Sequence, residues 1–212
     1  MVRKADIPQH LIDTALRLAA ERGWARLSYG DIAAEAKVPL SKAYPVFTSK
    51  AAILAGFSAM IDAKVLDELD EDEEGDARDR IFDVLMNRFE ALQPYRLGLG
   101  NILLDLTRDP CSAACAARSL RRSMALMLEA AGLSASGAKG LLRVKGLAAI
   151  YLATLRVWLR DDSLDLAKTM AALDGYLRRI EGLLRRVRRS GARRDPDGGS
   201  KGGEAAPEAA EG

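Results

Sequence analysis

Apolar side chains recur at three- and four-residue spacing through most of the chain, and each such stripe predicts an amphipathic helix. Leu11, Ile12, Ala15, Leu16 and Ala19 predict a first helix from about residue 8 to 22, closed by Gly23 with Trp24 packed at the corner. Ile32, Ala33 and Ala36 mark a two-turn helix, Leu40 to Val46 a second short one, and Ile53, Leu54, Phe57, Ile61 and Val65 a long one from Ser49 towards Leu69. Ile81, Leu85, Phe89 and Leu92 predict the next, stopped at Pro94, and another follows from about Tyr95 to Thr107, where Gly98 and Gly100 permit close approach or a bend. Leu120, Met124, Met127 and Leu128 face inward on a helix over about 112–131 that ends at Gly132. Ser134 caps an eighth, running to about Arg160 with Leu142, Leu147, Ile150, Tyr151, Leu155 and Trp158 on its apolar face. Ser163 and Asp165 open a ninth through Leu173, Leu177, Ile180 and Leu184. No stretch alternates with period two, so an all-α chain of about nine helices is expected.

Composition agrees with this. Only 5% of the 212 residues are aromatic, and glycine and proline are scarce before the C-terminal end. The formal charge of +2 gives no overall basicity that would point to nucleic acid. Charge is segregated instead. Residues 62–80 hold ten acidic side chains against Lys64, Arg78 and Arg80, and residues 178–194 hold eight arginines against Glu181. Such dense like charge predicts a solvated loop around Asp70–Asp76, separating a small N-terminal domain from a larger one. From Gly191 onward little remains to bury, so a disordered tail over 191–212 is expected.

No secretory h-region or run of eighteen apolar residues occurs, which predicts a cytoplasmic protein. Cys111 and Cys115 are expected to be ordinary buried or half-buried thiols of a reducing compartment. No Ser/His/Asp set, phosphate-cradling glycine loop or metal-ligand spacing is found. Neither an enzyme, a metal nor a cofactor is expected. The chain binds something rather than converting it.

The stretch from Ser28 to Lys50 carries the most information. Ser28 and Asp31 are spaced for a capping box, Lys37-Val38-Pro39 breaks the helix, and Pro39 suits the entry to the next. Thr48-Ser49 then caps the helix that follows. Two short helices joined by a three-residue turn describe a helix-turn-helix. With Ser28, Asp31-Ile32-Ala33, Ala36, Val38, Tyr44, Phe47 and Ser49-Lys50, the stretch resembles the DNA-binding end of TetR-family transcriptional regulators. The resemblance extends over about residues 7–60. It departs from that family at Lys37, where glycine is usual, at Pro39-Leu40, where a small or basic pair is usual, and at Pro45, where a polar or basic residue is usual. Pro45 disfavours helix at Tyr44 and lacks an N–H, which predicts a short reading helix.

The resemblance implies a TetR-like fold with a helix-turn-helix domain over 1–50 and a ligand-binding and dimerisation domain over 51–190. It implies a homodimer, pairing helices at about 138–160 and 165–188, that binds operator DNA as a repressor and responds to a small apolar ligand. Ser41, Lys42 and Tyr44 are then the candidates for the major groove. Ser28, Tyr29 and Lys50 are the candidates for phosphates, and Lys37 either adds a phosphate contact or sits in solvent. Arg3 and Lys4 lie ahead of the first helix, as basic arms do, or fray in solvent. In the body, Leu85, Phe89, Leu103, Met127, Tyr151 and Trp158 are expected to line an apolar cavity, with Arg88 or Tyr151 as its polar anchor.

A sparser likeness runs through residues 80–180. Met86, Arg88, Leu92-Gln93-Pro94-Tyr95, Tyr151, Asp161-Asp162-Ser163, Asp165, Thr169 and Leu173 resemble the lipid-binding accessory proteins of ubiquinone biosynthesis, which share the fold without being known for reading DNA. That likeness implies, as the alternative, an isoprenoid lipid ligand. It also implies peripheral membrane contact through Leu183, Leu184, Val187 and the flanking arginines.

Overall fold

The structure, a computed structural model, describes residues 6–69 and 75–192, with side chains up to residue 182. Arg3, Lys4, most of the acidic run, the side chains of Leu183, Leu184 and Val187 and the tail from 193 on lie outside the described residues. Nine α-helices and one 3-10 turn make up the described chain, with no strand among them. These are α1 (Ile7–Arg22), α2 (Tyr29–Glu35), α3 (Leu40–Ala43), α4 (Lys50–Asp67), α5 (Ala77–Leu92), α6 (Arg96–Leu106), α7 (Pro110–Ala130), α8 (Gly137–Trp158) and α9 (Ala167–Ala192), with the turn at Gln93–Tyr95 before α6. Residues up to Leu177 form one compact unit, and a second begins at Arg178, where α9 continues as helix to Ala192, past the expected start of the tail at Gly191.

The helix ends follow their capping chemistry. Ser28 Oγ accepts from Asp31 N at 3.1 Å while the Asp31 carboxylate accepts from Ser28 N at 2.8 Å, a reciprocal capping box. Ser49 caps α4 through Ala52 N, and Asp109 caps α7 through Cys111 N and Ser112 N. Asp76, the one described carboxylate of residues 70–76, caps α5. Ser136, not Ser134, holds the N-cap position of α8; Ser134 Oγ instead accepts from Ser136 N at 3.2 Å, one step back in the loop.

The core joins head and body. Leu11, Ala15, Leu18 and Ala19 of α1 are fully buried, as are Ile32 and Ala33 of α2 and Ile53 and Ile61 of α4. Helix α6 crosses α1 so closely that a Cβ at Gly98 would lie 2.3 Å from the Leu16 carbonyl oxygen, so glycine is required there. The same helix grips the end of α1 with polar groups. Asn101 Nδ2 donates to the carbonyls of Ala19 and Ala20 at 3.0 and 3.2 Å, and Ala25 N donates to the Asp105 carboxylate at 2.8 Å. Leu142, assigned above to the apolar face of α8, is 68% exposed, and Leu141 beside it is also open to solvent.

Candidate DNA-reading head and ligand cavity

Helix α2 ends in a two-bond C-terminal cap. Val38 N donates to Ala33 O and Lys37 N to Ala34 O, both at 3.0 Å, which places Lys37 at the left-handed position with φ of 53°. That conformation explains why glycine is usual at this point, and here a lysine adopts it. Its side chain is exposed beside the turn.

Helix α3 ends at Ala43 rather than at the Val46 given by the apolar spacing, in line with the shortening that Pro45 predicts. Pro45 has no N–H to give the Ser41 carbonyl, so residues 44–46 form a turn closed by Val46 N and Phe47 N on Ala43 O, each at 3.0 Å. Leu40, Ser41, Lys42, Tyr44 and Pro45 are all exposed, Leu40 and Tyr44 by more than half, while Ala43 alone is fully buried. The three groove candidates Ser41, Lys42 and Tyr44 therefore share one open surface. Ser28 is exposed at the start of α2, with its oxygen engaged by Asp31. The Tyr29 hydroxyl is buried without a hydrogen-bond partner, and burial first, then the Tyr44 phenol, raises its pKa.

Lys50 is placed differently from expectation. Its ammonium donates to the carbonyls of Trp24 and Leu27 at 2.8 and 2.7 Å and lies 4.7 Å from the Trp24 ring centroid. It thus ties the start of α4 to the connection between α1 and α2 instead of extending towards a phosphate. Burial lowers its pKa, and Asp105 and Asp109 oppose that shift from a distance.

A cavity of about 490 Å3 opens in the body, walled by α4, α5, α6, α7 and α8 together with Trp24. Of the residues expected at a ligand cavity, Leu103, Tyr151 and Arg88 line this one. Leu85, Phe89, Met127 and Trp158 do not; they are fully buried in the core behind it. For Phe89 and Trp158 the reason is aromatic packing. Phe89 stacks on Tyr151 with centroids 5.3 Å apart and tilts against Trp158 at 6.0 Å, so only Tyr151 of the three faces the cavity. Leu54 and Ala55 of α4, Leu99, Ile102 and Leu106 of α6, and Ala116 and Leu120 of α7 supply most of the apolar wall. Cys111 and Cys115 are exposed rather than buried, because the first turns of α7 carry their outer face to solvent, and Cys115 also borders the cavity.

Arg88 is the buried polar group of the wall. It pairs with Asp62 of α4, donates to Ser58 Oγ at 3.4 Å, and lies 5.6 Å from the Tyr151 ring centroid. Ser123 of α7, fully buried, also donates to the Asp62 carboxylate. Burial works against the Arg88 charge, but Tyr151 and Asp62 outweigh it, and its pKa is raised. Sequence reasoning found Arg88 and missed its partners. Asp62 sat within an acidic run that reads as solvated, although its position one residue after Ile61 on the long helix was a usable signal.

Among the described residues the helices build an exposed helix-turn-helix on a bundle that walls an apolar cavity. Residues 11–56 match the family model described as "Bacterial regulatory proteins, tetR family", which assigns the head to the DNA-binding domain of those regulators. No curated protein matches the chain. Among solved structures, the TetR transcriptional regulator from Nitrosomonas europaea is 24% identical with a TM-score of 0.65, over 80% of this chain and 95% of that one. A TetR transcriptional regulator from Rhodococcus sp. RHA1 is 16% identical with a TM-score of 0.59, over 82% and 96%. The multidrug binding protein EbrR, complexed with imidazole, is 24% identical with a TM-score of 0.50, over 79% and 88%. Over about four-fifths of its length the chain therefore shares the fold of these TetR regulators. None of these three is described as an accessory protein of ubiquinone biosynthesis. No helix among the described residues is long and apolar enough to cross a membrane.

Proposed function

We propose that the protein is a ligand-responsive transcriptional regulator whose head binds operator DNA and whose body binds a small, largely apolar effector. The observation that carries this reading is the continuity of α4. Its first residue holds the α1–α2 connection through Lys50, and its later turns wall the cavity and bear Asp62, the partner of Arg88. An effector that moves α4 alters the head directly. Ser41, Lys42 and Tyr44 face the major groove in this reading, and Lys37 and Ser28 lie towards the backbone. Two copies paired through α8 and the first turns of α9, where Leu141 and Leu142 are exposed, place two heads on a palindromic site.

The test is a titration against duplex from upstream of the protein's own gene at several salt concentrations. Lys42→Ala is expected to weaken specific binding by about 1–3 kcal/mol, as loss of a base contact does. Binding no tighter than to random duplex sinks the regulator reading. The short α3 and the apolar cavity then favour the alternative, a carrier of an isoprenoid lipid, which mass spectrometry of co-purifying molecules detects directly.

A further inference from the structure

We infer that the effector of this cavity is an apolar molecule ending in one anionic group, and that Lys50 is the residue that receives the anion. The inference rests on the reading above of the cavity as an effector site, and it names the ligand class.

Among the described residues only two charged side chains line the cavity, Lys50 and Arg88; both are cationic, and no carboxylate joins them. Their situations differ. Arg88 already has its counter-ion in Asp62, so a second anion at that end would face the first. Lys50 has none. An ammonium carries three donors, and two of them go to the carbonyls of Trp24 and Leu27. Asp105 and Asp109, the carboxylates that act on it from a distance, are already engaged. Asp105 accepts from Ala25 N at 2.8 Å, and Asp109 accepts from Cys111 N and Ser112 N at 3.1 and 3.2 Å. Neither lines the cavity. Beyond those two carbonyls the half-buried ammonium meets, among the described residues, only the Trp24 ring, its centroid 4.7 Å away, and a charge in such a place is stabilised further when an opposite charge joins it. Lys50 is also the first residue of α4, where the helix dipole favours an anion as well.

The shape of the wall suits a chain behind the anion. Ser58, which touches Arg88, is eight residues beyond Lys50, about 12 Å along the α4 axis. Leu54 and Ala55 line the span between them. A carboxylate at Lys50 with a hydrocarbon chain directed towards Tyr151 fills this space and leaves the Arg88–Asp62 pair intact. The same carboxylate competes with the Trp24 and Leu27 carbonyls for the ammonium, just ahead of the capping box that starts α2. Anion binding therefore weakens the tie between α4 and the head, whereas a neutral molecule in the same cavity leaves it in place.

Calorimetric titration of the full chain with dodecanoate, dodecanol and dodecyltrimethylammonium tests this, in the wild type and in Lys50→Gln and Lys50→Arg. Dodecanoate is expected to bind at least tenfold more tightly than the other two, with the preference lost in Lys50→Gln and kept in Lys50→Arg. Equal affinities, a preference for the alcohol or the cation, no binding of dodecanoate, or a preference that survives in Lys50→Gln each overturns the inference. The wild-type ranking needs no variant, so it decides the head-group chemistry even where Lys50→Gln fails to fold. Binding to the upstream duplex without any amphiphile is measured in parallel. Its absence sinks the regulator reading, while specific DNA binding without a dodecanoate preference sinks only the ligand class.

Discussion

Arg88 of α5 and Asp62 of α4 form an ion pair almost closed to water, with 4% and 9% of their surfaces exposed. Removing one partner of such a pair leaves the other charge buried and uncompensated. Asp62→Ala is therefore expected to cost about 3–5 kcal/mol in denaturant unfolding. Replacing both, as Asp62→Leu with Arg88→Met, is expected to cost far less, since neither charge is then stranded. Equal losses for the single and double variants would show that the pair does not act as a unit.

Two glycines on α6 separate contact from propensity. Alanine at Gly98 places its Cβ 2.3 Å from the Leu16 carbonyl oxygen, a backbone atom that cannot turn aside. Gly98→Ala is expected to destabilise by about 1–3 kcal/mol through overpacking. Alanine at Gly100 meets only Leu159 Cδ2 at 3.5 Å, an ordinary contact. Gly100→Ala is expected to stabilise by up to about 1 kcal/mol through helix propensity. Thermal melts of the two variants should move in opposite directions.

Asp161, fully buried between α8 and α9, sets a pH dependence. Burial alone would raise its pKa, but hydrogen bonds from Ser163 and from both the hydroxyl and the N–H of Thr169 outweigh it and hold the carboxyl well below its ordinary range. Because the unfolded chain takes up this proton first, the stabilisation is complete above the ordinary carboxylate value of about 4 and is lost as pH falls below it. Asp161→Asn is expected to be less stable than the wild type at pH 7, with the gap narrowing between about pH 5 and 2. Urea unfolding across that range measures it, and a constant gap would rule out the carboxylate as its cause.

Lys37 holds a left-handed backbone conformation that costs a residue with a Cβ about 1–2 kcal/mol. Lys37→Gly relieves that strain while raising the entropy of the unfolded chain, for an expected net gain of up to about 1 kcal/mol. If the lysine touches a phosphate, the variant also loses affinity equally for all duplexes, and its salt slope flattens by about one unit. Unchanged DNA affinity would place the side chain in solvent.

Periodicity alone was enough to read the helices of this chain and the capping at Ser28, Ser49 and Gly132, because those features depend on residues within a few positions of one another. The shortness of α3 was legible for the same reason, since Pro45 acts on its own turn. What only the tertiary structure decided lies across helices. Leu85, Phe89, Met127 and Trp158 are buried as core rather than lining the cavity, and for Phe89 and Trp158 the aromatic packing with Tyr151 is what holds them there. Lys50 sits where a phosphate-binding lysine is expected, yet the Trp24 and Leu27 carbonyls, more than twenty residues earlier, take its donors. Asp62 reads as one more solvated acid until α5 and α7 bring Arg88 and Ser123 against it. A helical stripe specifies which side faces inward, but whether an inward side chain meets another side chain, a carbonyl or an open cavity depends on how the helices cross.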